Sequence, residues 1–137
     1  SQGFLQYQCL IPESEKTLEN LSRVLETIQQ KGCFSYLAVI KYHKKSENGW
    51  LNFCKAGYSL ALDFPNTQKV RHLLDAVDKD VMAMGGRVYL AKDARMQSHA
   101  CEEMYKIQLP KWREVIERIN PHGHYQSELS KRLGLYD

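Results

Sequence analysis

A chain of 137 residues, 43% hydrophobic and 26% charged, falls in the range of one soluble globular domain with enough apolar side chains to bury a core. Its formal net charge of +3 comes from Lys and Arg scattered among Asp and Glu, so there is no electrostatic footprint for nucleic acid or for an anionic lipid surface. The four cysteines, Cys9, Cys33, Cys54 and Cys101, form no C-x-x-C and have no histidine at a metal-ligand spacing, which argues against a zinc site and a disulfide scaffold and for reduced, mostly buried thiols.

No run of apolar residues approaches the roughly 18 that span a bilayer, and no charged-then-apolar signal segment opens the chain. The expectation is a protein with no transmembrane segment and a cytoplasmic location. The chain starts without Met and enters the alternating segment FLQYQCLI almost at once, as a domain cut from a longer protein would.

Residues 4–11 read as a strand stopped by Pro12, and Glu13 to Lys31 as a helix with Leu18, Leu21, Val24, Leu25 and Ile28 on one stripe, Ser14 as N-cap and Gly32 as C-cap. FSYLAVIKYH (34–43) is a second strand, broken by KKSENG, a polar loop that needs nothing beyond turn chemistry. GYSLALDFP (57–65) alternates as a third strand. Asn66 or Thr67 then caps a helix with Val70, Leu73, Leu74, Val77, Val81 and Met84 on one face, stopped by Gly85 and Gly86.

RVYLA (87–91) completes the order β-α-β-β-α-β, which predicts an α+β, ferredoxin-like antiparallel sheet with two helices on one face. Residues 96–106, 110–119 and 127–133 read as short helices with too few apolar residues for a core of their own. The chain therefore divides into a sheet portion, 1–91, and a helical tail, 92–137, which should pack on the sheet or on something outside this chain.

Strand side chains alternate between two faces. One set, Leu5, Tyr7, Cys9, Ile11, Tyr36, Ala38, Ile40, Tyr58, Leu60, Leu62, Phe64, Val88 and Leu90, belongs under the helices. The other face collects Gln6, Gln8, Lys41, Ser59, Asp63 and Tyr89 among Leu37, Val39 and Ala61. Such a face is either the wet side that an antiparallel sheet can simply have, or a floor for a polyol or other neutral polar ligand. The two glutamines favour the second, because strands disfavour long amides unless a partner holds them.

No Ser, His and Asp set suggests itself, and His122 and His124 in NPHGHY mark a turn more readily than a metal site. Gly85 and Gly86 lack the G-x-G-x-x-G spacing and sit at a helix end, so they form a C-cap and no phosphate cradle. On the residues alone Lys92 is a solvated lysine, and Asp93 caps the next helix and pairs with Arg95.

The runs FLQYQCLIP, YLAVIKYH and GYSLALDFPNTQKVRHLLDAVDKDVMAMGGRVYLAKDARM, followed by EMYKIQLPKWREVIERINPHGHYQSELSKRLGL, closely resemble the C-terminal part of FAD-linked oxidases of the vanillyl-alcohol oxidase superfamily, of the decaprenylphosphoryl-ribose oxidase type. GGRVYLAKD and SELSKRLGL are among the most specific of these signatures. The resemblance implies a two-domain enzyme in which an N-terminal domain, missing from this chain, binds FAD and a cap domain closes over the flavin. This chain would be the later part of that cap plus a tail returning to the FAD-binding domain.

By the same resemblance Gln6 and Gln8 match pocket glutamines, Lys41 a pocket lysine, and Tyr89 and Lys92 the tyrosine and lysine that reach flavin and substrate. Ser59 and Ala61 stand where the ribose-oxidase type has Asn and Cys on the pocket side. The implied chemistry is oxidation of an alcohol of a sugar-like or polyol substrate by hydride transfer to flavin, with Lys92 and Lys41 as the catalytic cations and no metal. Two other readings stay open: a stand-alone ferredoxin-like ligand-binding or regulatory module without redox activity, and an RNA-binding sheet, which would need more aromatics on the open face than Tyr89.

Overall fold

The computed structural model describes residues 3–46 and 49–136. Strands β1 (Phe4–Pro12), β2 (Ala38–His43), β3 (Gly57–Pro65) and β4 (Arg87–Val88) form one sheet in the spatial order β2-β3-β1-β4, with every neighbouring pair antiparallel. The crossovers are helices α1 (Thr17–Gln30) and α2 (Gln68–Ala83). This is the expected α+β, ferredoxin-like arrangement.

The apolar sets of the two central strands are buried as their alternation requires. Leu5, Tyr7, Cys9 and Ile11 of β1 and Leu60, Leu62 and Phe64 of β3 share one core with Leu21, Val24 and Ile28 of α1 and Val70, Leu73, Leu74, Val77 and Val81 of α2. Thr67 is the N-cap of α2, its hydroxyl accepting from the Val70 N–H. Each helix ends in a left-handed glycine, Gly32 (φ 60°) and Gly85 (φ 69°). In both, the following N–H reaches back five residues, Cys33 to the Ile28 carbonyl and Gly86 to the Val81 carbonyl.

Four expectations change. α1 begins at Thr17, with Lys16 as N-cap, because Ser14 is used otherwise: its N–H donates to the Thr17 hydroxyl at 2.7 Å and its own hydroxyl accepts from the Lys16 N–H. Leu18, placed on the helical stripe by spacing, is 80% exposed, because the buried stripe of α1 runs through Thr17, Leu21, Val24 and Ile28. On the second strand the apolar set finds no cover: Tyr36, Ala38 and Ile40 are all exposed, because β2 is an edge strand and the helices sit over β1 and β3. The fourth strand shortens to Arg87–Val88, since the chain turns into a 3₁₀ turn, Leu90–Lys92.

The tail folds as α3 (Ser98–Tyr105), α4 (Leu109–Ile119) and α5 (Glu128–Leu133), and Met96, Ala100, Cys101, Met104, Tyr105, Leu109, Leu133 and Leu135 join the core of the sheet. α3 covers the free edge of β4: the Val88 N–H donates to Met104 Sδ and the Tyr105 hydroxyl donates to the Val88 carbonyl at 2.7 Å. Arg95 inserts its guanidinium beside two carboxylates of α2, Asp75 at 2.5 Å and Asp78, while Tyr7 of β1 donates to Asp78 at 2.9 Å. Asp93 therefore pairs with Arg132 (2.8 Å) and not with Arg95. It caps the turn before α3, accepting from the N–H groups of Arg95 and Met96, while Gln97 is the N-cap of the helix itself.

Candidate functional site

The sheet face opposite α1 and α2 carries the residues singled out by alternation, and the strand register sets them in rows. Gln6 lies opposite Asp63; Val39, Ala61 and Gln8 form the next row; Lys41, Ser59, Leu10 and Arg87 form the third. Tyr89 extends the β1–β4 ladder beyond its last pair, its N–H donating to the Gln8 carbonyl at 2.8 Å. Each strand glutamine has the partner a long amide needs there: Gln6 Nε2 donates to Asp63 Oδ1 at 3.1 Å, and Gln8 Nε2 to Ser59 Oγ at 3.2 Å.

The two lysines flank these rows. Lys41 stands exposed on the edge strand β2, and Lys92 closes the 3₁₀ turn that follows Tyr89 on the opposite side of the sheet. Neither ammonium has an ion pair or side-chain hydrogen bond among the described residues. Ala61 occupies the centre between Val39 and Gln8 and adds no polar atom.

The loop after β2 is more than a turn. Residues 49–56 cross the face from β2 towards β4, and Phe53, only 6% exposed, packs edge-on to the His43 ring at 5.9 Å between centroids and against Tyr89 at 4.8 Å. Arg87 fastens the loop by donating to the Asn52 carbonyl at 2.5 Å, and its guanidinium lies over the Tyr105 ring at 5.0 Å. Burial lowers the Arg87 pKa from its ordinary value. Leu10 and Ser59 become wholly buried beneath the loop, so Ser59 acts from under the floor and does not line it.

Between loop and sheet runs an open groove of about 640 Å³ lined by Gln8, His43, Phe53, Cys54, Tyr89 and Trp112, among others. Of the expected site residues, Gln8 and Tyr89 line it, while Gln6, Lys41 and Lys92 stand outside it. His43, Phe53, Cys54 and Trp112 were not singled out as site residues: Phe53 and Cys54 lie in a loop without periodicity, and Trp112 reads as part of the apolar face of α4. They also raise the aromatic content of this face above the single tyrosine expected. Gly86 is a packing glycine, a Cβ there meeting the Leu10 carbonyl oxygen at 2.5 Å, which agrees with its reading as a helix stop.

Among the described residues no group of three or more His, Cys, Asp or Glu could hold a metal ion, and no helix is long and apolar enough to cross a membrane.

No family model matches the chain. Over 135 residues it is 30% identical to decaprenylphosphoryl-β-D-ribose oxidase of Mycolicibacterium smegmatis, the match covering 98% of this chain and 29% of that protein. Over 136 residues it is 32% identical to an uncharacterised protein in the mprA 5′ region of Streptomyces coelicolor, covering 98% of this chain and 36% of that one. The chain thus spans about a third of the length of these curated relatives. The resemblance to the decaprenylphosphoryl-ribose oxidase type holds along nearly all of it.

Proposed function

We propose that this chain, a relative of decaprenylphosphoryl-β-D-ribose oxidase along nearly its whole length, forms the substrate-facing part of an FAD-linked oxidoreductase that oxidises a CH–OH group of a sugar-like or polyol substrate. The observation that carries this reading is the convergence of Gln6, Gln8 and Tyr89 on one face of the sheet, flanked by two ammonium groups, Lys41 and Lys92, that no carboxylate neutralises among the described residues. A face with neutral hydrogen-bonding groups at its centre and uncompensated cations at its rims suits a polyhydroxy ligand and a developing negative charge.

The face fits one part of FAD and not another. Its phosphates find no glycine cradle at Gly85 and Gly86 among the described residues, since these end a helix and Gly86 is filled by backbone packing. A phenol and an unpaired ammonium at Tyr89 and Lys92 are the groups that would touch the ring. When bound, the flavin supplies the acceptor for the hydride. The chain's own residues would do the rest. Gln6 and Gln8, held by Asp63 and Ser59, would fix substrate hydroxyls, and Lys41 would stabilise the alkoxide as the hydroxyl loses its proton. Lys92 would hold a fixed positive charge on the opposite rim.

The tail, 92–137, is the segment proposed to return to an FAD-binding domain outside this chain. The test is the absorbance spectrum of the full-length protein. Flavin bands that bleach on anaerobic addition of a polyol or sugar are the expected result, and a colourless protein refutes the reading.

A further inference from the structure

We propose that Cys54 is a nucleophilic thiol, with His43 as its base, which undergoes exchange with small anionic disulfides where two surface grooves meet. This site shares Gln8, Ser59 and Tyr89 with the proposed substrate face, but its test needs neither flavin nor turnover.

The geometry is that of a nucleophile, a base and a group that orients the base. Cys54 Sγ lies 3.5 Å from His43 Nδ1, and His43 Nε2 lies 2.8 Å from Ser59 Oγ. Ser59 is wholly buried and also accepts from Gln8 Nε2 at 3.2 Å. The imidazolium form is therefore served at both nitrogens, Nε2–H by the serine oxygen and Nδ1–H by the sulfur once it is ionised. Edge contact with Phe53 fixes the ring.

The sulfur is positioned as well. The Cys54 N–H donates to Asn52 Oδ1 at 2.8 Å, the Asn52 amide donates to the Ser46 carbonyl at 2.8 Å, and Arg87 holds the Asn52 carbonyl. The other three thiols are buried, and burial pushes Cys9 up to about 12 and Cys101 up to about 11, so those two stay protonated and unreactive. Cys54 alone is partly open to solvent.

The class of reagent follows from what surrounds the sulfur. Cys54 lines the groove of Gln8, Tyr89 and Trp112 on one side. On the other it borders a second groove lined by Lys55, Arg87 and Lys111, with no carboxylate among the described lining residues. Three cations beside a thiol select a negatively charged partner. In the exchange, the thiol proton passes to His43 Nδ1 and Sγ attacks one sulfur of the disulfide. That S–S bond breaks, and the departing sulfur leaves as a thiolate and takes the proton from His43. One S–S bond forms and one breaks, so no further oxidant or reductant is needed. The mixed disulfide on Cys54 would fill the groove against Gln8 and Tyr89.

The test treats the intact chain at neutral pH with dithionitrobenzoate, an anionic disulfide, and with cystamine, a cationic one, and locates the adduct by peptide mass spectrometry. Cys54 should be the first of the four cysteines modified, and His43→Asn should slow it by at least about tenfold. The preference for the anionic reagent, relative to free glutathione as the attacking thiol, should be about tenfold or more and should shrink in Lys55→Gln. Folded wild-type Cys54 reacting no faster than in the urea-unfolded chain overturns the proposal, whatever the variants do. A rate unchanged in a folded His43→Asn protein removes the base, and equal preference for the two reagents removes the anionic class.

Discussion

The backbone N–H of Tyr89 donates to the carbonyl of Gln8 at 2.8 Å, carrying the β1–β4 ladder one residue beyond the last pair of β4. The next residues leave the sheet: Lys92 and Asp93 donate back to the carbonyls of Tyr89 and Leu90 at 3.1 and 3.2 Å. Residue 89 is therefore the last that the sheet positions. Lys92 is set one tight turn further on, at the rim of the same face.

The proposed function gives Lys92 a charge-stabilising role that can be tested. In the full-length protein, Lys92→Ala should slow reduction of the flavin by at least an order of magnitude, a loss of more than about 1.4 kcal/mol of transition-state stabilisation. Lys92→Arg should restore part of it, because the charge remains. Single-turnover stopped flow with a reducing substrate measures both, and an unchanged rate in the alanine variant would show that the ammonium serves only solubility.

Phe53 anchors the loop that makes the groove. Removing its ring should cost about 2 to 4 kcal/mol if the loop and the fold open together, and less if only the loop detaches. Phe53→Ala should therefore raise amide exchange of residues 49–56 strongly while β1 and β3 stay protected. Hydrogen exchange with mass spectrometry distinguishes the two, and unchanged protection in the loop would mean that Arg87 and Asn52 hold it unaided.

The fold was legible because the elements that decide it follow simple periods. Strands β1 and β3 alternate over most of their length, α2 shows its cap and its apolar face, and the glycine stops fall where left-handed residues are needed. The edge strand misled for the same reason. Alternation sorts Tyr36 and Ile40 into the apolar set but says nothing of how far the helices reach. Gln6, Gln8, Lys41 and Tyr89 could be grouped by parity alone. His43 shares the parity of Lys41 on β2, but Phe53 and Cys54 could not be grouped, since a loop that folds back over a sheet has no period to read, and the contact between positions 43 and 54 exists only once residues 49–56 have closed.

Two adjacent glycines should respond unequally to alanine. At Gly85 the cost is the left-handed backbone alone (φ 69°), for nothing lies within 4 Å of an added Cβ, and about 1 to 2 kcal/mol is expected. At Gly86 the Cβ meets the Leu10 carbonyl oxygen at 2.5 Å and Val81 Cγ1 at 2.9 Å. The end of α2 must then move off β1, so Gly86→Ala should cost clearly more, about 2 to 4 kcal/mol. Urea unfolding of both variants orders them, and equal losses would contradict the tight approach of helix end and strand.

Asp78 gives the fold a pH dependence of unusual sign. Burial pushes its carboxyl up to about 6, against the pull of the Arg95 guanidinium and the Tyr7 hydroxyl, with Asp93 and Asp75 adding to the rise. A carboxyl whose folded value lies above its unfolded value of 3.8 binds its proton more tightly in the folded chain. Its contribution to stability is full below the unfolded value and is lost as pH rises through about 6. From about pH 4 to pH 7 this group should therefore remove up to ~3 kcal/mol. Asp78→Asn should cancel that component, so that the stability of the variant relative to wild type rises across the interval. Tyr7→Phe, which deletes a donor to the ionised form, should move the window upward. Urea denaturation of the three proteins at several pH values reads both effects, and parallel curves for wild type and Asp78→Asn would mean that Arg95 keeps Asp78 ionised throughout.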